Sequence, residues 1–264
     1  MTLLGTVKNA SIAAGLYGPT RQLSRMLRPH QRQAFEDDVQ LYRSLIPGDA
    51  LAFDIGANIG EKSEALLRAG ARVVAFEPNP DVLPELYARC QGFSQWNVVQ
   101  TALGSAADVL SLYSPSSHGS SSLTEGWGGD AVCSRHVPVI TLQSAVRRFG
   151  MPYYCKIDVE GWELEVLKGL QSAVPLVSLE FHLNDVDIAK TLACLERLRG
   201  FGDCSVNLTY AEGSSFHYDD WIKLDEFIDW FPGDLRNVMP GYPYGDLYVL
   251  NHAARENWLA DKAA

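Results

Sequence analysis

From residue 50 to residue 251 short apolar runs alternate with stretches of helical spacing, and this alternation narrows the possible folds more than any other feature. Strand-like runs stand at 50–55, 72–76, 96–101, 109–113, 137–140, 153–159, 176–182, 204–210 and 246–251. Between them, helix-like stretches with apolar residues three and four apart stand at 60–69, 81–90, 141–149, 161–170 and 186–198. Strands joined through helices of this length build a mostly parallel sheet covered on both faces. The expected class is therefore α/β, in three layers. Residues 1–45 read as an N-terminal helical segment broken at Pro29, with a second break at Pro47. Residues 46–264 read as the main domain, with 211–245 as an insertion and possible lid over an acceptor.

In such sheets ligands bind outside the carboxyl ends of the strands, so each strand-to-helix junction is a candidate site. The first junction reads Phe53-Asp-Ile-Gly-Ala-Asn-Ile-Gly60. Glycines there let the backbone approach a ligand, although a tight turn with no ligand has the same composition. The second strand ends at Glu77, 21 residues after Gly56. An acid at that place can take both hydroxyls of a ribose, or simply lead into the helix after Pro80. Together the two junctions favour a nucleoside-containing ligand. Asp54, two residues before Gly56, would repel a pyrophosphate but suits an ammonium and a sulfonium. The residues thus favour S-adenosyl-L-methionine over a nicotinamide dinucleotide.

The segments FDIGANIG, AFEPNP, WNVVQTALG and KIDVEGWELEVLKGL, in that order, resemble the motifs of the FkbM-type methyltransferases, between about residues 50 and 182. That resemblance implies a Rossmann-like class I fold with a seven-stranded sheet whose last strand is antiparallel, and S-adenosyl-L-methionine as cofactor. It also implies methylation of a hydroxyl on a small molecule or glycan, of the polyketide or sugar type. Under it Asp54, Gly56, Asn58 and Gly60 cradle the methionine part and Glu77 holds the ribose. Pro78 and Asn79 line the adenine side, with Ala102 and Leu103 flanking the base. Glu61-Lys62-Ser63 departs from the family, which often has an aromatic and a hydroxyl residue there, and Gln143 replaces a frequent acid.

The last of those motifs crowds Asp158, Glu160, Glu163 and Glu165 at one strand end. If the strand continues that far, Asp158 and Glu160 point the same way, and Glu180 and His182 do likewise on the neighbouring strand. Asp158, Glu160, Glu180 and His182 are the candidate catalytic residues, with Asp158 also facing the cationic donor. A hydroxyl acceptor has a proton to lose, and a histidine suits that work near neutral pH. Glu163 and Glu165 read as helix chemistry, since acids are favoured in a first turn and Glu165 can pair with Lys168. The four candidates could also surround a divalent cation, but nothing in their spacing demands a metal.

Phe216, His217 and Tyr218 are candidate pocket aromatics, whereas Trp221, Leu224, Ile228 and Phe231 fall at helical spacing and read as packing. The serine- and glycine-rich loop at 114–130 reads as a second lid. The net charge of -10 speaks against a nucleic-acid partner. It is uneven: residues 1–35 hold five cations and no acid, which leaves -15 for the rest. That basic start suits an anionic surface or a second subunit as a homo-oligomer, or plain coverage of the domain. Five cysteines without a C-x-x-C pair suit a reducing, cytoplasmic location. No run of about 20 apolar residues suggests a membrane span. Rival readings are methylation of nitrogen or of a macromolecule, a nicotinamide oxidoreductase, and a non-catalytic cofactor-binding module.

Overall fold

The computed structural model describes residues 29–115, 121–127, 131–211, 213–231, 233 and 244–263. Most of the basic N-terminal segment, the loop tips at 116–120 and 128–130, and residues 234–243 of the insertion lie outside them. Helix α1 (Pro29–Leu45) starts at the predicted proline and leads into β1 (Leu51–Ile55), α2 (Glu61–Ala69), β2 (Arg72–Phe76), α3 (Leu83–Cys90) and β3 (Trp96–Val99). Three strands follow, β4 (Ala102–Gly104), β5 (Asp108–Pro115) and β6 (Ala131–Thr141), then α4 (Leu142–Phe149) and β7 (Tyr154–Ile157). The chain continues through α5 (Glu163–Lys168), β8 (Leu176–His182), α6 (Asp185–Arg199), β9 (Cys204–Tyr210), β10 (Ile222–Lys223) and α7 (Leu224–Trp230). It ends with β11 (Tyr244–Asn251) and α8 (His252–Ala263).

The main sheet has the order β10-β9-β11-β8-β7-β1-β2-β3. The β3-β2-β1-β7-β8 half is parallel, and β11 runs antiparallel between β8 and β9. Eight strands stand where seven were expected, because the two-residue β10 from the insertion adds to the edge of β9. A second difference is larger: β4, β6 and β5 form their own three-stranded sheet. The strand expected at 96–101 stops at Val99, and β4, which begins at Ala102 just beyond that run, belongs to the other sheet.

Alternation along the strands sends one set of side chains to each helical layer. Phe53, Ile55, Cys155, Ile157, Val177, Leu179, Phe181, Val206 and Leu208 pack under α4, α5, α6 and α7. On the opposite face α1 and α2 bring Phe35, Val39, Tyr42, Leu66 and Leu67 onto Ala52, Tyr154, Leu176 and Tyr248. That second face is apolar only in part. Asp54, Lys156, Ser178, Glu180, Asp246 and Thr209 belong to it, set side by side by the pairings Asp54 with Lys156, Lys156 with Ser178, and Asp246 with both Glu180 and Thr209. The polar row rises toward the carboxyl ends of β1, β7 and β8, which is where the candidate site lies.

Candidate functional site

The glycine turn after β1 is fixed by its neighbours. Gly56 N and Ala57 N both donate to Phe76 O, and Asp158 N donates to Ile55 O at 3.0 Å. Gly56 has φ 83, and a Cβ on it would sit 1.7 Å from Asp158 O, so the turn and the end of β7 meet only because no side chain stands there. Asn58 also takes a positive φ and donates its N–H to Glu77 Oε2 at 2.7 Å. The other oxygen of Glu77 accepts from Asn79 N at 2.7 Å, and burial pushes this carboxyl up to about 7. Asn79 in turn reaches Ser121 Oγ and accepts from Asp81 N, making the turn that starts α3. Pro78 lies beside it, half-buried.

Asp54 has no exposed surface. Its Oδ2 accepts from Ser63 Oγ at 2.5 Å, whereas its Oδ1 is buried without a hydrogen-bond partner among the described residues. Burial raises its pKa, and the nearby Lys156 opposes that rise. An unpaired buried carboxylate oxygen is costly unless something cationic or N–H-bearing comes to it.

Lys156 has no part in the expectations drawn from sequence. It is buried in β7, with its ammonium 2.7 Å from Asp158 Oδ2. Burial alone would lower its pKa, but Asp158, Asp54 and Asp246 outweigh that and keep it charged. A lysine inside the apolar run YCKI was the available signal, because a buried ammonium needs carboxylates around it.

The strand β7 ends at Ile157, so the expected alternation of Asp158 and Glu160 does not apply. Glu160 sits beyond the strand at φ 56, and its Oε2 accepts from the indole N–H of Trp127 at 2.8 Å. Ser122 Oγ donates to the backbone oxygen of Glu160, and Gly161 has no room for a Cβ against the Trp127 ring. Glu160 therefore anchors the described part of the 114–130 loop over the site. Glu163 Oε1 accepts from Val159 N and Gly161 N, closing the same turn, and burial pushes its carboxyl up to about 7. Glu165 accepts from Lys168 and Ser105, the surface role expected of it.

At the end of β8, Glu180 Oε2 lies 3.2 Å from His182 Nε2, and this hydrogen bond raises the histidine pKa. The imidazole stands between Trp127 and Tyr244, with ring centres 5.8 and 5.9 Å away. Asp246, at the start of the antiparallel β11, is pushed up to about 7 by desolvation. Leu103 packs in the main core and Ala102 against Leu112 and Val139. Phe216 packs on Trp221 and Tyr248, and His217 lies between Tyr210 and Tyr218. Among the described residues no group of three or more His, Cys, Asp or Glu is arranged to hold a metal ion. Among them, too, no helix is long and apolar enough to cross a membrane.

A doubly wound sheet with a reversed strand near one edge carries a glycine turn, a strand-end glutamate and an unpaired buried aspartate at its carboxyl edge. That is the build of a doubly wound α/β enzyme whose ligand sits at the carboxyl ends of its strands. The chain belongs to the FkbM methyltransferase family: the Methyltransferase FkbM domain matches residues 54–239. It is similar to the hexuronic acid methyltransferase AglP of Haloferax volcanii, at 30% identity over 175 residues, or 60% of this chain and 67% of the relative. Among solved structures, the precorrin-6y C5,15-methyltransferase of Geobacter metallireducens GS-15 matches at 14% identity and a TM-score of 0.43, over 81% of this chain and 88% of the other. The S-adenosyl-L-methionine-bound fibrillarin of Aeropyrum pernix matches at 11% identity and a TM-score of 0.41, over 78% of this chain and 68% of the other. Likeness this distant says nothing of substrate.

Proposed function

We propose that this methyltransferase moves the methyl group of S-adenosyl-L-methionine to a hydroxyl of a sugar, free or within a glycan. The observation that carries the cofactor reading is Asp54 Oδ1, buried and unpaired beside a turn that only glycine can make. A pyrophosphate would meet that carboxylate unfavourably, while an α-ammonium would satisfy it. Each Glu77 oxygen accepts one backbone N–H and keeps a second lone-pair direction, which suits the two hydroxyls of a ribose. The sugar acceptor rests on the relative named a hexuronic acid methyltransferase.

The cofactor supplies an electrophilic methyl on a sulfonium, a centre that needs no metal. What remains for the protein is to hold the acceptor oxygen in line and to receive its proton. His182, backed by Glu180, is the base in this reading, and Asp158, tied to Lys156, holds the acceptor hydroxyl. Glu160 acts indirectly, by keeping Trp127 over the same cleft.

The test is incubation of the purified protein with methyl-labelled S-adenosylmethionine and a panel of uronic and neutral sugars, with mass spectrometry of the products. Label on a sugar oxygen is the expected result. Label on nitrogen, or cofactor binding without transfer to any acceptor of the panel, contradicts the proposal.

A further inference from the structure

The first turn of α2 carries an ammonium with no part in the transfer chemistry. Lys62 stands two residues beyond Gly60, where the glycine turn becomes helix, and its Nζ lies 2.8 Å from Asp38 Oδ2 on α1. Burial would lower its pKa, but Asp38 and then Asp246 outweigh it and keep the charge in place. The second oxygen of Asp38 accepts from Ser214 Oγ at 2.7 Å, so one aspartate of the N-terminal segment ties α2 to the insertion. Gly60 gives this nine-residue helix no side-chain cap hydrogen bond, and the first amides of a helix have no partner within it.

The second observation is independent of that helix end. One residue after Lys62, Ser63 binds Asp54 and so places the turn beside the unpaired Oδ1 of a fully buried carboxylate. A lone acceptor and a cation at a helix start without a side-chain cap thus flank the same turn. An α-amino acid has the matching pair, an ammonium and a carboxylate on one carbon. A neutral or purely anionic ligand would satisfy only half of this arrangement.

We propose that Lys62 binds the carboxylate of the methionine part of the cofactor, that Asp38 positions Lys62, and that helix α1 is thereby part of the cofactor site. This rests on the reading of S-adenosyl-L-methionine as cofactor. It gives the N-terminal segment a role beyond coverage.

Calorimetric titration of the full chain with S-adenosylhomocysteine and with methylthioadenosine, which lacks the amino-acid part, tests it. Lys62→Met is expected to weaken S-adenosylhomocysteine about ten- to a hundredfold, the usual worth of a charge-assisted hydrogen bond. Methylthioadenosine should bind the variant as it binds the wild type, which also shows that the turn is intact. Asp38→Asn should weaken S-adenosylhomocysteine less, and the double variant no more than Lys62→Met alone, as for residues acting through one another. Unchanged S-adenosylhomocysteine binding in Lys62→Met overturns the inference and leaves the proposed function standing. A parallel loss of methylthioadenosine overturns it too, since the lysine would then only shape the turn. If the wild type binds neither compound, the cofactor reading itself fails and the inference with it.

Discussion

Asp54 and Lys156 face each other across the β1–β7 pairing, and their difference in satisfaction explains much of the site. The lysine has Asp158 at 2.7 Å; the aspartate keeps one oxygen without a partner among the described residues. Such an arrangement costs stability in the folded protein and is what a site prepared for a cation looks like. The Glu180–His182 pair is the other residue-scale unit. Because the carboxylate raises the histidine pKa, His182 stays protonated to higher pH, and in the role proposed for it could accept a proton only above that pKa. Replacing Glu180 by Gln should therefore shift the acid limb of the pH–rate profile to lower pH, with cofactor affinity unchanged. A limb that stays in place would remove His182 from the role of base.

Some of these residues were legible from sequence and others were not, for reasons that can be given one by one. Asp54, Gly56, Asn58 and Glu77 are found together because they belong to two adjacent junctions of a parallel sheet, and the strand pattern shows those junctions directly. Glu160 was misplaced because the period-two argument needs a strand, and the chain leaves β7 at Ile157 for a positive φ three residues later. Lys156 carried a local signal that was passed over, whereas Asp246 and Asp38 were missed because their roles depend on pairings between distant segments. Asp38 and Ser214, for example, are 176 residues apart in the chain.

At the scale of elements, β8 and β9 occupy the residues their apolar patterns predicted, 176–182 and 204–210. The small β4-β6-β5 sheet escaped notice because β4 pairs with β6 across the intervening β5, although β5 and β6 were expected as separate runs. Helix α8 was overlooked for want of an apolar stripe; none of its residues is buried. A signal was present, since Asn251 caps it by accepting from Ala254 N, ahead of an alanine-rich stretch. Its main attachments are the Trp258 ring on Tyr153, with centres 4.8 Å apart, and His252 on Ser205. Ending the chain after His252 keeps the second and loses the first. The expected cost is about 1–3 kcal/mol, or a fall in Tm of several degrees, with cofactor affinity retained. Thermal unfolding beside calorimetry checks both halves of that statement.

At the scale of the molecule, four carboxyls are raised together by burial: Asp54, and Glu77, Glu163 and Asp246, the last three to about 7. A carboxyl whose pKa is higher folded than unfolded binds its proton more tightly in the native state. Its stabilising effect is present at low pH and lost as pH rises through the folded value. His182 is shifted the same way. The cofactor-free protein should therefore lose thermal stability between about pH 5 and 7.5, and Glu77→Gln should flatten that slope. A Tm that rises across this range would contradict the burial of these groups.

The central claim is that the carboxyl edge of this sheet is built for a cationic nucleoside with an amino-acid tail. Calorimetric titration of S-adenosyl-L-methionine into the wild type and into Asp54→Asn, with a nicotinamide dinucleotide as comparison, tests it most directly. The account predicts that S-adenosyl-L-methionine binds the wild type, that Asp54→Asn weakens it about tenfold or more, and that the dinucleotide gives no heat. Binding of the dinucleotide in preference to S-adenosyl-L-methionine, or equal affinity in wild type and Asp54→Asn, would contradict it.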